Sequence, residues 1–223
     1  MLITEMFGPT IQGEGPHAGL NVGFLRLANC NLACSWCDTP YSWDWSRYDR
    51  EQETREVDVT DVLTSMTTLG VNRFVVTGGE PLIQQSDLAH LASETDILID
   101  VETNGTIVPS VALVNEIDLF VVSPKLANAG DRITKRIRSL ALQKFQESGK
   151  AVFKFVAQTE DDLDEIQHLV DEHSLTNIWA MPEGATREQH LTTLTRLVDP
   201  IVARGWNLST RLHVLAWDAK RGV

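Results

Sequence analysis

The chain has 223 residues, 43% hydrophobic and 22% charged, and its 19 Lys+Arg against 31 Asp+Glu give a net charge of −12. These figures suit a single globular domain, taken as 1–223, and exclude disordered and fibrous classes. The acidic balance argues against nucleic acid or an anionic membrane as partner, because phosphate neutralisation needs clustered Lys and Arg.

Three cysteines cannot pair completely, which excludes a secreted disulfide scaffold. The start, MLITEMFGPTIQGEG, shows no basic segment followed by an apolar run, and no stretch reaches the roughly 20 apolar residues of a membrane span. The expectation is a cytoplasmic protein in a reducing compartment.

Taken in chain order, Phe24 to Ala28 is a short apolar run carrying Arg26, and it leads into the cysteines. Ser42 to Asp58 is the most polar stretch and reads as an exposed loop or small insertion over 42–58. Val59, Val62, Leu63, Met66 and Leu69 recur at helical spacing, with Gly70 as a C-terminal stop. Phe74 to Val76 predicts a strand ending at Thr77-Gly78-Gly79, and a helix follows from about Gln84 to Glu94. Ile97 to Val101 predicts a strand ending at Glu102-Thr103-Asn104-Gly105, and Leu119 to Val122 one ending at Ser123-Pro124-Lys125. Ile133, Ile137, Leu140 and Phe145 suggest a helix. Val152 to Val156 is a strand interrupted by Lys154. Thr159-x-x-Asp162 is a capping box for the amphipathic helix of Leu163, Ile166, Leu169 and Val170. Ile178 to Met181 is a strand. Thr186-x-x-Gln189 opens a helix that Pro200 should kink or end. A strand or extended segment runs from Asn207 to Leu215.

Apolar strands alternating with amphipathic helices predict a parallel α/β fold. About six strands fit an incomplete barrel or an open doubly wound sheet, since a full eight-fold barrel needs ~250 residues. Ligands of such folds bind beyond the carboxyl ends of the strands, so the polar residues there are the candidates.

All three cysteines fall in one loop, Cys30-x3-Cys34-x2-Cys37. Thiolates this close can converge on one metal centre. Structural zinc wants four protein ligands, and only His17 is on offer as a fourth. A four-iron cluster held by three thiolates is the alternative, with one iron left open for a substrate or cofactor. Three buried cysteines acting as small hydrophobes is the plainest reading. The Trp- and Asp-containing surroundings favour the cluster.

This loop, with Trp36 before the last cysteine, resembles the radical S-adenosylmethionine (SAM) superfamily. The resemblance implies a partial parallel β/α barrel, a [4Fe–4S] cluster on Cys30, Cys34 and Cys37, and SAM cleaved to a 5′-deoxyadenosyl radical. Gly78-Gly79-Glu80, followed by Pro81, stands where that superfamily holds the SAM amino group. The ordered set Thr10-Ile11-Gln12-Gly13-Glu14-Gly15, Phe24-Leu25-Arg26-Leu27, Cys37-Asp38-Thr39-Pro40-Tyr41, Glu102-Thr103-Asn104-Gly105-Thr106 and Ser123-Pro124-Lys125 further resembles the 7-carboxy-7-deazaguanine synthase family. The likeness runs from about Ile3 to the His213 region and weakens between Lys135 and Gly205.

That family implies ring contraction of 6-carboxy-5,6,7,8-tetrahydropterin to 7-carboxy-7-deazaguanine with loss of ammonia, in queuosine and deazapurine biosynthesis. It also implies a homodimer and a flavodoxin-type reductant. By the same resemblance Ile11, Gln12, Gly13, Glu14, Thr77 and His213 contact the pterin, and Arg26 binds its carboxylate. A planar guanidinium suits that bidentate pairing, whereas a salt bridge to Asp or Glu is the alternative use of an Arg in an apolar strand. Thr39 ligates Mg2+, or else is a turn hydroxyl. Trp36, Gly78, Gly79, Glu80, Glu102, Ser123, Pro124, Lys125 and the loop Met181-Pro182-Glu183-Gly184 contact SAM. Met181 departs from the Gln-Pro with which that loop often begins. The chain runs past His213 through Trp217-Asp218 to Val223, so the terminal-carboxylate role of shorter members is not transferred. His90, His168, His173 and His190 are expected on solvated helix faces. Trp43, Trp45 and Tyr48 either cover the cluster or pack on one another. A glycyl-radical activase and a non-catalytic metal-binding module are the rival functions.

Overall fold

The computed structural model describes residues 1–222; Val223, the last position of the tail, lies outside the described residues. The strands are β1 (Leu2–Ile11), β2 (Asn21–Leu27), β3 (Arg55–Glu56), β4 (Arg73–Gly78), β5 (Leu98–Thr103), β6 (Leu119–Val122), β7 (Ala151–Ala157), β8 (Ile178–Pro182) and β9 (Asn207–Leu208). The helices are α1 (Arg50–Glu53), α2 (Val59–Leu69), α3 (Gln85–Ser93), α4 (Val111–Glu116), α5 (Ile133–Arg136), α6 (Ser139–Ser148), α7 (Glu160–His173), α8 (Arg187–Ala203) and α9 (Leu212–Trp217).

The described strands form one open sheet in the order β3-β1-β2-β4-β5-β6-β7-β8-β9. Every pair from β2 to β9 is parallel, while β1 lies antiparallel to both β2 and β3. This is the partial β/α barrel expected, enlarged at both edges. β1 was not anticipated because its residues, LITEMFGPTI, make no apolar run. The polar stretch 42–58 is likewise not all loop. Asp49 caps α1 by accepting the Glu51 amide, and β3 then pairs Arg55 with Ile3. At the other end, the extended segment expected over Asn207 to Leu215 shortens to the two residues of β9, and Leu212 onward turns into α9. The helix expected across Ile133 to Phe145 breaks into α5 and α6. Both capping boxes form, at Thr159/Asp162 and at Thr186/Gln189. Pro200 falls in the last turn of α8, where it ends rather than breaks the helix.

The central strands alternate, and this alternation makes the site. Leu25, Leu27, Phe74, Val76, Ile99, Val101, Phe120, Val122, Phe153, Phe155 and Ala180 pack against the helices as the buried core. Their neighbours Arg26, Thr77, Glu102, Val121, Ser123, Lys154, Val156 and Met181 point the other way and line a cavity on the concave face. Side chains two apart on a strand share a face, so one register fixes core and cavity together.

Candidate active site

The cavity holds about 380 Å³ and lies at the carboxyl ends of the parallel strands. That size is typical of small-molecule sites. Its lining includes Ile11, Gln12, Gly13, Glu14, Arg26, Cys30, Cys34, Trp36, Cys37, Thr39, Thr77, Gly78, Gly79, Glu102, Ser123, Lys125, Met181, Glu183 and His213. The structure therefore brings together most of the positions singled out from the sequence. Glu80, Pro124, Pro182 and Gly184 do not line it.

The cysteine loop leaves β2 and is held on the sheet by the glycine turn after β4. The Gly79 amide donates to the Leu27 carbonyl (3.1 Å) and the Glu80 amide to the Asn29 carbonyl (2.8 Å). A side chain at Gly79 would overlap the Asn29 carbonyl, so only glycine permits this approach. Glu80 is fully buried, and burial raises its carboxyl. It accepts from the Leu82 amide (2.9 Å), the Thr103 hydroxyl (2.7 Å) and the Asn104 amide (2.7 Å). Glu80, grouped with the SAM contacts by resemblance, does not line the cavity; its oxygens organise the end of β5.

Cys30, Cys34 and Cys37 are unpaired, partly exposed thiols turned to the cavity. Burial pushes the Cys30 thiol up to about 12 and raises Cys34 as well. Without a cation the thiolates are disfavoured, and iron would supply the missing charge. The Trp43 indole donates to the Cys37 sulfur at 3.3 Å. Among the described residues no three His, Cys, Asp or Glu side chains converge on a single-ion position. A cluster does not require that, because each thiolate binds its own iron. The donor set fits three cluster ligands.

Trp36 and Lys125 form the wall beside the loop. Lys125 Nζ lies 5.3 Å from the Trp36 ring centroid and donates to the Ser123 hydroxyl (3.0 Å), while the indole donates to Asn128 (3.0 Å). Thr39 Oγ1 sits 3.7 Å from Cys37 Sγ.

The same cavity holds a connected polar group. Gln12 donates to Glu102 Oε1 (3.2 Å), and Thr77 donates to Glu102 Oε2 (3.0 Å). Lys154, buried on β7, binds the Glu14 carboxylate and lies 3.8 Å from Glu102. Arg211 donates to Glu14 (2.9 Å), to the Gly184 carbonyl (3.0 Å) and to Asp38. Burial alone would raise the Glu14 carboxyl, but Lys154 and Arg211 together hold it well below the usual carboxylate range. Glu14 is thus a fixed anion. Glu102, grouped with the SAM contacts by resemblance, is instead tied to Gln12, Thr77 and Lys154 in this polar group.

Arg26 makes the salt bridge foreseen as its alternative use and also borders the cavity. Its Nε donates to Glu5 (2.7 Å), which also accepts from the Tyr41 hydroxyl (2.8 Å), and its guanidinium lines the cavity.

Lys154 and Arg211 were not assigned from sequence. The signals were visible: a Lys interrupting an apolar strand, and an Arg two residues before His213. His190 needs correction. It is fully buried, not on a solvated face. Its Nδ1 meets the Pro182 carbonyl (3.1 Å) and its Nε2 meets the Thr210 hydroxyl (3.0 Å) and the Arg211 amide (3.2 Å). His90 and His168 are exposed as expected, and His173 is partly buried.

Residues 26–172 match the family model described as the radical SAM superfamily. The 7-carboxy-7-deazaguanine synthase of Pyrobaculum aerophilum is 35% identical over 99% of this chain and 96% of its own length. The protein of the same name from Rhodopirellula baltica is 30% identical over 100% and 89%. The crystal structure of QueE from Escherichia coli superposes with a TM-score of 0.71 at 26% identity, covering 95% of this chain and 94% of that one.

Proposed function

The chain belongs to the 7-carboxy-7-deazaguanine synthase family of the radical SAM superfamily, and on that premise we propose how its own residues carry the family's reaction. It is a radical SAM enzyme that converts 6-carboxy-5,6,7,8-tetrahydropterin to 7-carboxy-7-deazaguanine with loss of ammonia. The observation that carries this reading is one cavity lined both by the three cysteines and by the Gln12/Glu14/Thr77/Glu102 group.

Cys30, Cys34 and Cys37 hold the [4Fe–4S] cluster. Trp36, Gly78, Gly79, Ser123, Lys125, Met181 and Glu183 border the SAM position. When bound, cluster and SAM supply the one-electron chemistry that removes a hydrogen from the substrate carbon bearing the carboxylate.

The chain itself positions the substrate. Glu14, kept ionised by Lys154 and Arg211, accepts from the amino-pyrimidine N–H groups. Gln12 and Thr77 present their polar ends beside Glu102. Arg26 pairs with the substrate carboxylate, and His213 closes the pterin side. Thr39 is the proposed Mg2+ ligand, a hard oxygen at the cavity edge with substrate and water oxygens filling the shell. The reading extends to a homodimer, a flavodoxin-type reductant and a cytoplasmic location, all supported by the family likeness. No helix among the described residues is long and apolar enough to cross a membrane.

Anaerobic incubation of cluster-loaded protein with dithionite, SAM and 6-carboxytetrahydropterin tests the proposal. Deazaguanine product without any protein substrate is expected, which also excludes an activase. No product from protein carrying full iron and sulfide overturns it. So does one zinc per chain with no iron in anaerobically purified protein.

A further inference from the structure

The tail beyond the last helix is built into the cavity. α9 ends at Asp218, whose φ of 58° lies in the left-handed region and turns the chain out of the helix. The turn is anchored from α8. Asp218 accepts the Arg187 amide (3.0 Å), and the Arg187 guanidinium donates to the carbonyls of Leu215 (2.9 Å) and Ala216 (3.3 Å). From there Asp218, Ala219, Lys220, Arg221 and Gly222 all contribute to the lining.

The tail is fastened at its far end by Arg221. Its guanidinium lies 3.6 Å from the Tyr41 ring centroid, donates to Glu5 Oε2 (3.2 Å) and reaches Glu53 Oε2 (3.3 Å). Glu5 is also the partner of Arg26, which binds its other oxygen. Arg26 and the Tyr41 hydroxyl therefore hold one oxygen of this carboxylate and Arg221 holds the other. That sharing has two consequences. Glu5 is clamped and cannot swing, so Arg26 has a fixed anchor. Glu5 also neutralises Arg26 only in part, so positive charge remains on the cavity side of Arg26. The lining as a whole carries six Lys and Arg against five Asp and Glu, in a chain of net charge −12. Two of those six cations, Lys220 and Arg221, come from the tail. The cavity is close to balanced in charge where the chain as a whole is strongly acidic, so an anionic ligand meets less repulsion there.

We propose that Asp218–Gly222 is a latched wall of the substrate site and that Arg221 is a positioning residue, holding Arg26 through Glu5 for the carboxylate of the pterin. This rests on the substrate assignment above. It adds a determinant for the carboxylated over the uncarboxylated pterin, carried by a segment lying beyond His213.

The test is equilibrium binding to cluster- and SAM-loaded protein without reductant, so that no turnover occurs. Two ligands are compared, 6-carboxytetrahydropterin and a tetrahydropterin lacking the carboxylate. Arg221→Ala should weaken the carboxylated ligand about five-fold, the scale of a partly exposed ion pair, and the other less than about two-fold. SAM affinity should not change. Arg221→Lys, which keeps the charge but loses the stacked planar fork, should fall between. The double variant Glu5→Gln/Arg221→Ala should bind no worse than Glu5→Gln alone, because the effect passes through Glu5. Unchanged affinity in Arg221→Ala overturns the inference, and so does an equal loss for both ligands, which would make the tail a plain cover. If wild-type protein fails to bind the carboxylated pterin at all, the substrate assignment falls and takes this inference with it.

Discussion

Gly13 lies directly beneath the imidazole of His213. A Cβ built on Gly13 would overlap the ring, with Nδ1 the nearest atom, and the Gly13 carbonyl accepts the Leu212 amide at 2.8 Å. The two ends of the chain thus dock on one another where the pterin is proposed to bind. Gly13 has no left-handed φ, so alanine is tolerated by the backbone and acts only through space. Gly13→Ala should displace His213, cost about 1–3 kcal/mol of overpacking and raise the KM for the pterin. Adding His213→Ala should return most of the stability in urea unfolding but not the KM. A double variant as unstable as the single one would show that His213 is not the obstacle.

Lys154 is a buried cation between Glu14 and Glu102. Lys154→Met keeps the stem volume and removes the charge. Two carboxylates then face each other with Arg211 as the remaining cation for Glu14. Breaking a buried pair in this way typically costs about 3–5 kcal/mol. Glu14→Gln/Lys154→Met should recover a large part of that loss, since no buried charge is left orphaned. Denaturant midpoints of the four proteins in the cycle measure the coupling, and simple additivity would argue against the pair.

The contrast between these residues and the cysteines shows what a sequence can and cannot reveal. Cys30, Cys34 and Cys37 bind through one loop, so their spacing alone announces a shared centre. The central strands were equally legible because Phe74 to Val76 and Leu119 to Val122 are local apolar runs. Lys154 and Arg211 find Glu14 across 140 and 197 residues, and nothing near either one names its partner. β1 was hidden for a different reason: β3 pairs only its first two residues, so beyond Ile3 its outer side is open, and such a strand needs no apolar run and tolerates Pro9. His190 looked solvated because a helix pattern shows which residues are polar, not that Pro182 and Thr210 would enclose one of them.

The His190 contacts set a pH dependence. Nδ1 must donate to the Pro182 carbonyl, so Nε2 is the acceptor for the Arg211 amide and the ring is neutral. Burial lowers its pKa, and Arg211 and His213 act in the same direction against the opposing pulls of the Pro182 carbonyl and Glu14. A folded-state pKa below the unfolded value means the unfolded chain binds the extra proton first. The stability contribution is therefore complete above pH ~6.5 and is lost as pH falls through that value toward the folded pKa, at no more than about 1.4 kcal/mol per pH unit. His190→Gln offers the same donor and acceptor without titrating. Its unfolding free energy should fall less than that of wild type between pH 7.5 and 5.5. His213, whose pKa burial also lowers, is present in both proteins and cancels in the comparison. Parallel curves for the two proteins would sink the assignment.

Trp43 offers a test of the cysteine loop that does not depend on turnover. Its indole donates to Cys37 Sγ at 3.3 Å, whereas the neighbouring Trp45 indole donates to Asn29 Oδ1 at 3.3 Å and touches no sulfur. A hydrogen bond to a cluster thiolate stabilises the more negative, reduced state and so raises the reduction potential. Trp43→Phe removes the donor and keeps an aromatic ring over the loop. The cluster potential, followed by electron paramagnetic resonance during a potentiometric titration, should shift to more negative values. Trp45→Phe should leave it where it is, because that indole bonds only to a loop amide. Equal shifts in both variants would mean that solvent access to the loop, not the N–H to sulfur bond, sets the change. No shift in Trp43→Phe would mean that the indole does not reach Cys37 once iron is bound.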